Sequence, residues 1–278
     1  MQKLLELYNN GKWTEPFLMF SIGVFVMTSF ILYLWIISSR SKNIRKERLE
    51  IKYSEIIEKL MFAMMFQDIP IEAIKEDEKY KTLSNKAFFR KVLTDSIINL
   101  HKNYEGIYAR KLEEFYKDTG LMDESLKKLK NLKWEVKCKG ITELAEMNLK
   151  EAFDPILTAS KARNKTLKIT ALNACIKLAG TNGIAHLTEH PYPIDDWTQI
   201  NIISAFKKHD IGDTQGVEFL LESKNTTVVA LGLKLIKELK LTQKLQYVTL
   251  LETKAPNPSI RYEAQNVLQA LTVNNIGS

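Results

Sequence analysis

Twenty-one consecutive residues without a charge, Phe17 to Ile37, constrain this chain more than any other feature. They read FLMFSIGVFVMTSFILYLWII. As a helix rising 1.5 Å per residue, the run is about 31 Å long, which matches a hydrocarbon core of about 30 Å. Pro16 stands directly before it, where a helix start tolerates the missing N–H. Trp13 precedes the run, and Tyr33 and Trp35 lie near its far end, as aromatic side chains do at membrane interfaces. A cleaved secretory signal has a basic leading segment and an apolar core of about 7–15 residues. Here Lys3 and Lys12 are offset by Glu6 and Glu15, the core is longer, and no small-residue cleavage motif follows. The reading is a retained transmembrane helix over residues 17–39, preceded by a short N-terminus over residues 1–16.

The flank after the run carries Arg40, Lys42, Arg45, Lys46 and Arg48 against Glu47. Lysine and arginine beside a span are retained on the cytoplasmic side. The expected topology is a single-pass protein with residues 1–16 outside and the C-terminal part in the cytoplasm, in a bacterial cytoplasmic membrane. These basic side chains also sit where anionic headgroups would meet them. Ser21, Gly23, Thr28 and Ser29 include no small pair four apart, so the span has no close-packing dimer face.

Residues 40–132 read as a helical juxtamembrane region. No Gly or Pro occurs between Ile37 and Ile69, so the helix is expected to continue beyond the membrane. Ile56, Ile57, Leu60, Met61, Met64 and Met65 form a helical stripe. Such a stripe is either core or, because methionine adapts its shape, a partner surface. Asp68-Ile69-Pro70 ends the helix, and the charged stretch 74–83 reads as loop. Apolar periodicity then marks helices around Phe88–Leu100, around Ile107–Tyr116 before Gly120, and over Leu121–Leu132. No alternating strand pattern occurs, so the fold class is all-α. The 278 residues suit one or two domains, and 45% apolar with 26% charged residues excludes wholesale disorder. Two cysteines exclude a disulfide scaffold.

Over residues 133–278 the chain repeats itself. Val136, Leu167, Trp197, Val228 and Ile260 follow one another at steps of 31, 30, 31 and 32 residues. Directly before these anchors stand Glu135, Thr166, Asp196, Thr227 and Ser259, mostly types that cap a helix N-terminus. Four residues after them come Gly140, Ala171, Asn201, Gly232 and Ala264, mostly small, as close helix approach requires. The anchor and the positions 4, 5, 8 and 11 residues later trace one helix face. Shorter apolar segments lie between, reading AFDPILTASKA, GIAHLTEH, TQGVEFLLES and QKLQYVTLLET. Units of this kind bury their faces only by stacking on one another. The segments NPSIRYEAQNVLQAL, NKTLKITALNACIKLAG and NTTVVALGLKLIKEL resemble the first helix of bacterial HEAT or HEAT-like repeats. That resemblance implies a short α-solenoid whose surface binds other macromolecules. It is a packing pattern and names no active residue.

One motif points to chemistry. His186-Leu-Thr-Glu189-His190 fits H-x-x-E-H, a zinc signature in which two histidines one helical turn apart share the metal. Pro191 and Pro193 follow at once and push the preceding residues out of the helical region. The preferred reading is therefore a histidine pair at a solvent-exposed helix end, with no metal and no cofactor. The competing reading is a membrane-bound zinc hydrolase using His186, Glu189 and His190. His101, His209, Cys138 and Cys175 stand apart from one another, and no phosphate loop or nucleophile elbow is present.

The formal charge of +7 and the lysines recurring on the repeats, among them Lys165, Lys168, Lys207, Lys208, Lys234 and Lys237, leave an anionic ligand or nucleic acid as a further reading. Aromatic side chains do not interleave with them as a base-stacking platform requires. The expectation is a membrane-anchored adaptor without catalysis, binding a protein partner such as an integral-membrane enzyme complex. Its candidate contact surface comprises the turns and shorter helices carrying Glu218, Glu222 and Gln246.

Overall fold

The structure is a computed structural model and describes residues 14–209 and 214–273. Lys3, Glu6, Lys12 and Trp13, named above as flanking groups, lie outside the described residues. Among the described residues every regular element is helical.

The first helix, α1, is a single element from Thr14 to Phe66, about 80 Å long at 1.5 Å per residue. It has two physically different halves. Residues 15–52 are exposed throughout, and the apolar window packs against nothing within the molecule. Among the described residues this is the one helix long and apolar enough to cross a membrane. Tyr53, Ile57, Met61, Met64 and Met65 are buried, at the spacing that lines one helical face. The methionine stripe is therefore core. Tyr53 meets Phe89 edge-on, with ring centroids 5.2 Å apart. Lys111 ends the helix by donating from Nζ to Met65 O (3.2 Å) and Met64 O (3.4 Å), and it pairs with Asp68. A cation suits the carbonyl-rich end of a helix.

The stretch 74–83, expected as loop, is two short helices, α2 (Ile71–Glu76) and α3 (Glu78–Ser84). Ile74 and Tyr80 are buried, which overrides the charge of their neighbours. Asp77 separates the two by accepting the N–H groups of Lys79 and Tyr80, each at 2.9 Å. Three helices follow: α4 (Ala87–Asn103), α5 (Ile107–Asp118) and α6 (Leu121–Leu129). The last stops three residues short of the expected Leu132. Gly120, with φ +72°, supplies the left-handed residue between α5 and α6.

The helices that carry the repeat anchors are α7 (Trp134–Glu146), α9 (Lys165–Ala179), α10 (Asp196–Lys208), α11 (Thr226–Glu238) and α13 (Pro258–Val273). Two shorter α-helices lie among them, α8 (Phe153–Ala159) and α12 (Leu245–Lys254). The other intervening segments are 3₁₀ turns at Gly180–Gly183, Ala185–Glu189 and Val217–Glu222. α7 packs on α9, α9 on α10, and α11 on both α10 and α13. Two ion pairs join residues 31 apart, Lys177 to Glu146 at 2.8 Å and Lys207 to Glu238 at 2.5 Å.

Two details of the expected repeat shift. The capping side chains are Asn164, Asp195 and Asn225, one or two residues ahead of the expected Thr166, Asp196 and Thr227. Lys133 precedes α7 without a side-chain cap, so Glu135 is not the cap there. Trp197 is 59% exposed, and Thr198 takes the inward position at 2%. The third unit is thus displaced by one residue, which turns the indole out of the core.

The buried side chains form two clusters. One runs from Tyr53 to Leu178 and unites α1 with α2–α9. The other runs from Leu172 to Leu271. Helix α9 is the wall they share: Ala171 and Cys175 face the first cluster, Leu172 and Ile176 the second.

Candidate functional site

A polar groove crosses α7, α9 and α10. It encloses about 320 Å³. Three alanines are among the residues lining it, Ala145, Ala174 and Ala205, each buried and one on each helix. Their small side chains leave a trough where longer ones would close it. Thr142, Thr170, Asn173, Asn201 and Ser204 also line it. Thr170 and Asn201 bond back to the backbone of their own helices, at Thr166 O (2.9 Å) and Trp197 O (2.7 Å). Asn173 Oδ1 is buried and has no hydrogen-bond partner. A buried acceptor left unmade costs about 1–3 kcal/mol.

Charge collects at one end of the groove. Glu146 accepts from Lys177 at 2.8 Å and lies 3.6 Å from Lys102 Nζ. Burial alone would raise the Glu146 carboxyl. The Lys177 hydrogen bond and charge, with Lys102 and Lys208 beyond, outweigh it and hold the group below the usual carboxylate range. His209, at the C-terminus of α10, also lines the groove. Burial, with Lys177 and Lys208 adding to it, holds its imidazole below the ordinary value, and Glu146 opposes the shift. Among the described residues, Lys102, Lys177 and Lys208 thus face the Glu146 carboxylate beside the His209 imidazole. These groups supply hydrogen bonds and positive charge to whatever lies in the trough.

The H-x-x-E-H segment has a different geometry from the one the motif needs. His186 and Glu189 lie on a 3₁₀ turn, and His190 is extended (φ −69°, ψ 120°), so the two histidines do not occupy successive turns of one α-helix. His186 Nε2 lies 3.3 Å from Ser160 Oγ, while its Nδ1 is buried without a partner. Burial first, then the charges of Lys161, His190 and Lys168, push His186 down to about 4. Glu189, His190 and Glu222 line one depression of about 600 Å³, and His186 is not among its walls. Among the described residues no three His, Cys, Asp or Glu side chains gather as a metal-binding set. Asn225 fastens this turn by donating to His190 O (2.9 Å) and Tyr192 O (2.7 Å).

Of the three residues expected on a contact surface, Glu222 and Gln246 are exposed. Glu218 is not available: its carboxylate is paired with Lys244 at 2.7 Å, and both side chains are largely covered. Burial would raise Glu218, but hydrogen bonds from Lys244 and the backbone N–H of Gly216 hold it low. Three of the six lysines singled out in the sequence, Lys165, Lys207 and Lys234, are struts. Lys165 reaches Asp195 at 3.1 Å, and Lys234 reaches Gln199 Oε1 at 2.9 Å and Asp196 at 3.6 Å. By contrast Arg40, Lys42, Arg45, Lys46 and Arg48 are all exposed on α1, with Lys46 Nζ 5.4 Å above the Phe88 ring.

Sequence reasoning passed over the groove, although its signal was present: an alanine on each of three helices, flanked by short polar residues where charge is usual. The chain matches no protein-family model, and no curated protein matches it.

Proposed function

We propose that the protein is a membrane-tethered adaptor. Its N-terminal helix spans the bilayer, and its folded part is a short HEAT-like solenoid that binds a protein at the same membrane. The observation that carries this reading is the division of α1. The uncharged run 17–37 is covered by nothing, and the last turns, from Tyr53 on, are built into the first core. Exposed apolar area of that extent is unfavourable in water and favourable in lipid. The stacking of α7, α9, α10, α11 and α13, with ion pairs one repeat apart, supports the solenoid.

Exposed Arg40, Lys42, Arg45, Lys46 and Arg48 support a cytoplasmic folded part. Tethering acts by concentration. Confinement to one membrane raises the effective concentration at which a partner there meets the solenoid, without any added contact. The test is fractionation of the full chain carrying a C-terminal tag. The tag is expected to stay with membranes washed in alkaline carbonate and to survive protease added outside intact cells. Release by carbonate, or digestion from outside, overturns the reading.

A further inference from the structure

We infer that the groove across α7, α9 and α10 binds an extended acidic stretch of polypeptide. This deepens the adaptor reading, on which it rests, by naming the chemistry of the partner. The shape comes first. Three neighbouring helices about 10 Å apart span roughly 20 Å between the outer two axes. An extended chain covers that in about six residues. The alanine floor leaves room for a main chain, and short polar side chains line the walls.

Charge comes second. Among the described residues, Lys102, Lys177 and Lys208 outnumber the carboxylate of Glu146 at this end, and that surplus suits acidic side chains. The unmade bond comes third. Asn173 Oδ1 is a buried acceptor lining the trough, and it requires a donor. A polypeptide main chain brings an N–H at every second residue on each edge. A phosphodiester brings none, and among the described residues no Phe, Tyr or Trp lines the groove as a base-stacking platform, the one ring there being the His209 imidazole.

The test uses the full chain in detergent and a fluorescein-labelled ten-residue peptide alternating Glu and Gly. A Lys–Gly peptide of the same length and a ten-nucleotide oligo(dT) are run beside it, all read by fluorescence anisotropy. Ser204→Trp fills the trough from an exposed position, Lys208→Glu reverses the charge at its end, and Asn173→Leu removes the acceptor. Thermal melts accompany each variant. The Glu–Gly peptide is expected to bind saturably, and its Kd to rise at least tenfold in Ser204→Trp and Lys208→Glu with melting within a few degrees of the parent. Asn173→Leu is expected to weaken binding about threefold or more while leaving melting equal or higher.

Equal binding of the Lys–Gly peptide, or binding indifferent to all three variants, overturns the proposal. Oligo(dT) binding with the same sensitivity to these variants overturns it in favour of nucleic acid. Carbonate extraction of the same variants separates the two readings: a chain that stays in the membrane but takes no acidic peptide retains the tether and loses the groove.

Discussion

A methyl group added to Gly140 would lie 2.7 Å from Ser125 O and 2.8 Å from Lys128 Cβ, against the neighbouring α6. The closest of those atoms is backbone, so the helices themselves must separate. Gly140→Ala is expected to destabilise the protein by about 1–3 kcal/mol, read as a lower melting temperature of the full chain in detergent. At Gly232 the nearest atom is Leu221 Cδ2 at 2.9 Å, the end of a side chain that can turn aside, and the fixed Leu220 Cβ lies farther off at 3.1 Å. Gly232→Ala is expected to cost less.

His186 yields a second expectation. Its imidazole titrates near pH 4 when folded and near 6.5 when unfolded. The unfolded chain therefore takes up the proton first as pH falls. The stability held above pH 6.5 drains away between about 6.5 and 4. His190 and His209 are shifted the same way, so His186→Asn should flatten the fall in melting temperature across that window without abolishing it. A slope equal to the parent's would reject the assignment. Both glycine positions were readable from spacing alone. The burial of His186 was not, because a motif reports which residues are present and not how far the chain has folded over them.

At the level of single elements, α1 depends on how it ends. Its C-terminal carbonyls have Lys111 as their partner, reaching across from α5. Lys111→Met keeps the aliphatic stem and removes the ammonium, and should lower stability by about 1 kcal/mol. Met61→Ala opens a cavity in the first core, with an expected cost of about 2–5 kcal/mol. Chemical denaturation with the near-ultraviolet signal of the packed aromatic rings measures both.

The length of α1 and the main anchor helices were legible, because a run without glycine or proline and a 31-residue step are both long signals. Short elements were not. In α2 and α3 one or two buried side chains, Ile74 and Tyr80, decide the structure against a majority of charges. Near Trp197 a one-residue displacement reverses which side faces the core. The groove escaped for a related reason. It exists only because alanines 29 and 31 residues apart, Ala145, Ala174 and Ala205, come side by side. Only the stacking of the helices shows that.

For the whole molecule, one core cluster includes residues on both sides of position 133. Ile141 and Leu144 of α7 share one cluster with Phe115, Tyr116 and Leu121. Tyr116 OH meets Ser125 Oγ at 2.8 Å, and Ser125 and Lys128 both bond Glu143. A fragment comprising residues 133–278 therefore loses one side of its first helix. Hydrogen exchange should find residues 134–146 unprotected in that fragment while residues 226–238 keep the protection they have in the full chain. Equal protection of both would show that the repeats fold without the preceding helices.

The unbroken course of α1 has a mechanical meaning. From Ser38 to Lys52 it is an exposed shaft about 22 Å long with no glycine and no proline, braced where Lys46 lies over the Phe88 ring of α4. Under the proposed tether, such a shaft gives no slack between the lipid and the folded part. A lean of about 20° swings its outer end sideways by roughly 8 Å. A quarter turn about its own axis points the proposed groove in a new compass direction. Bilayer thickness, by setting the lean, would then steer where that face aims.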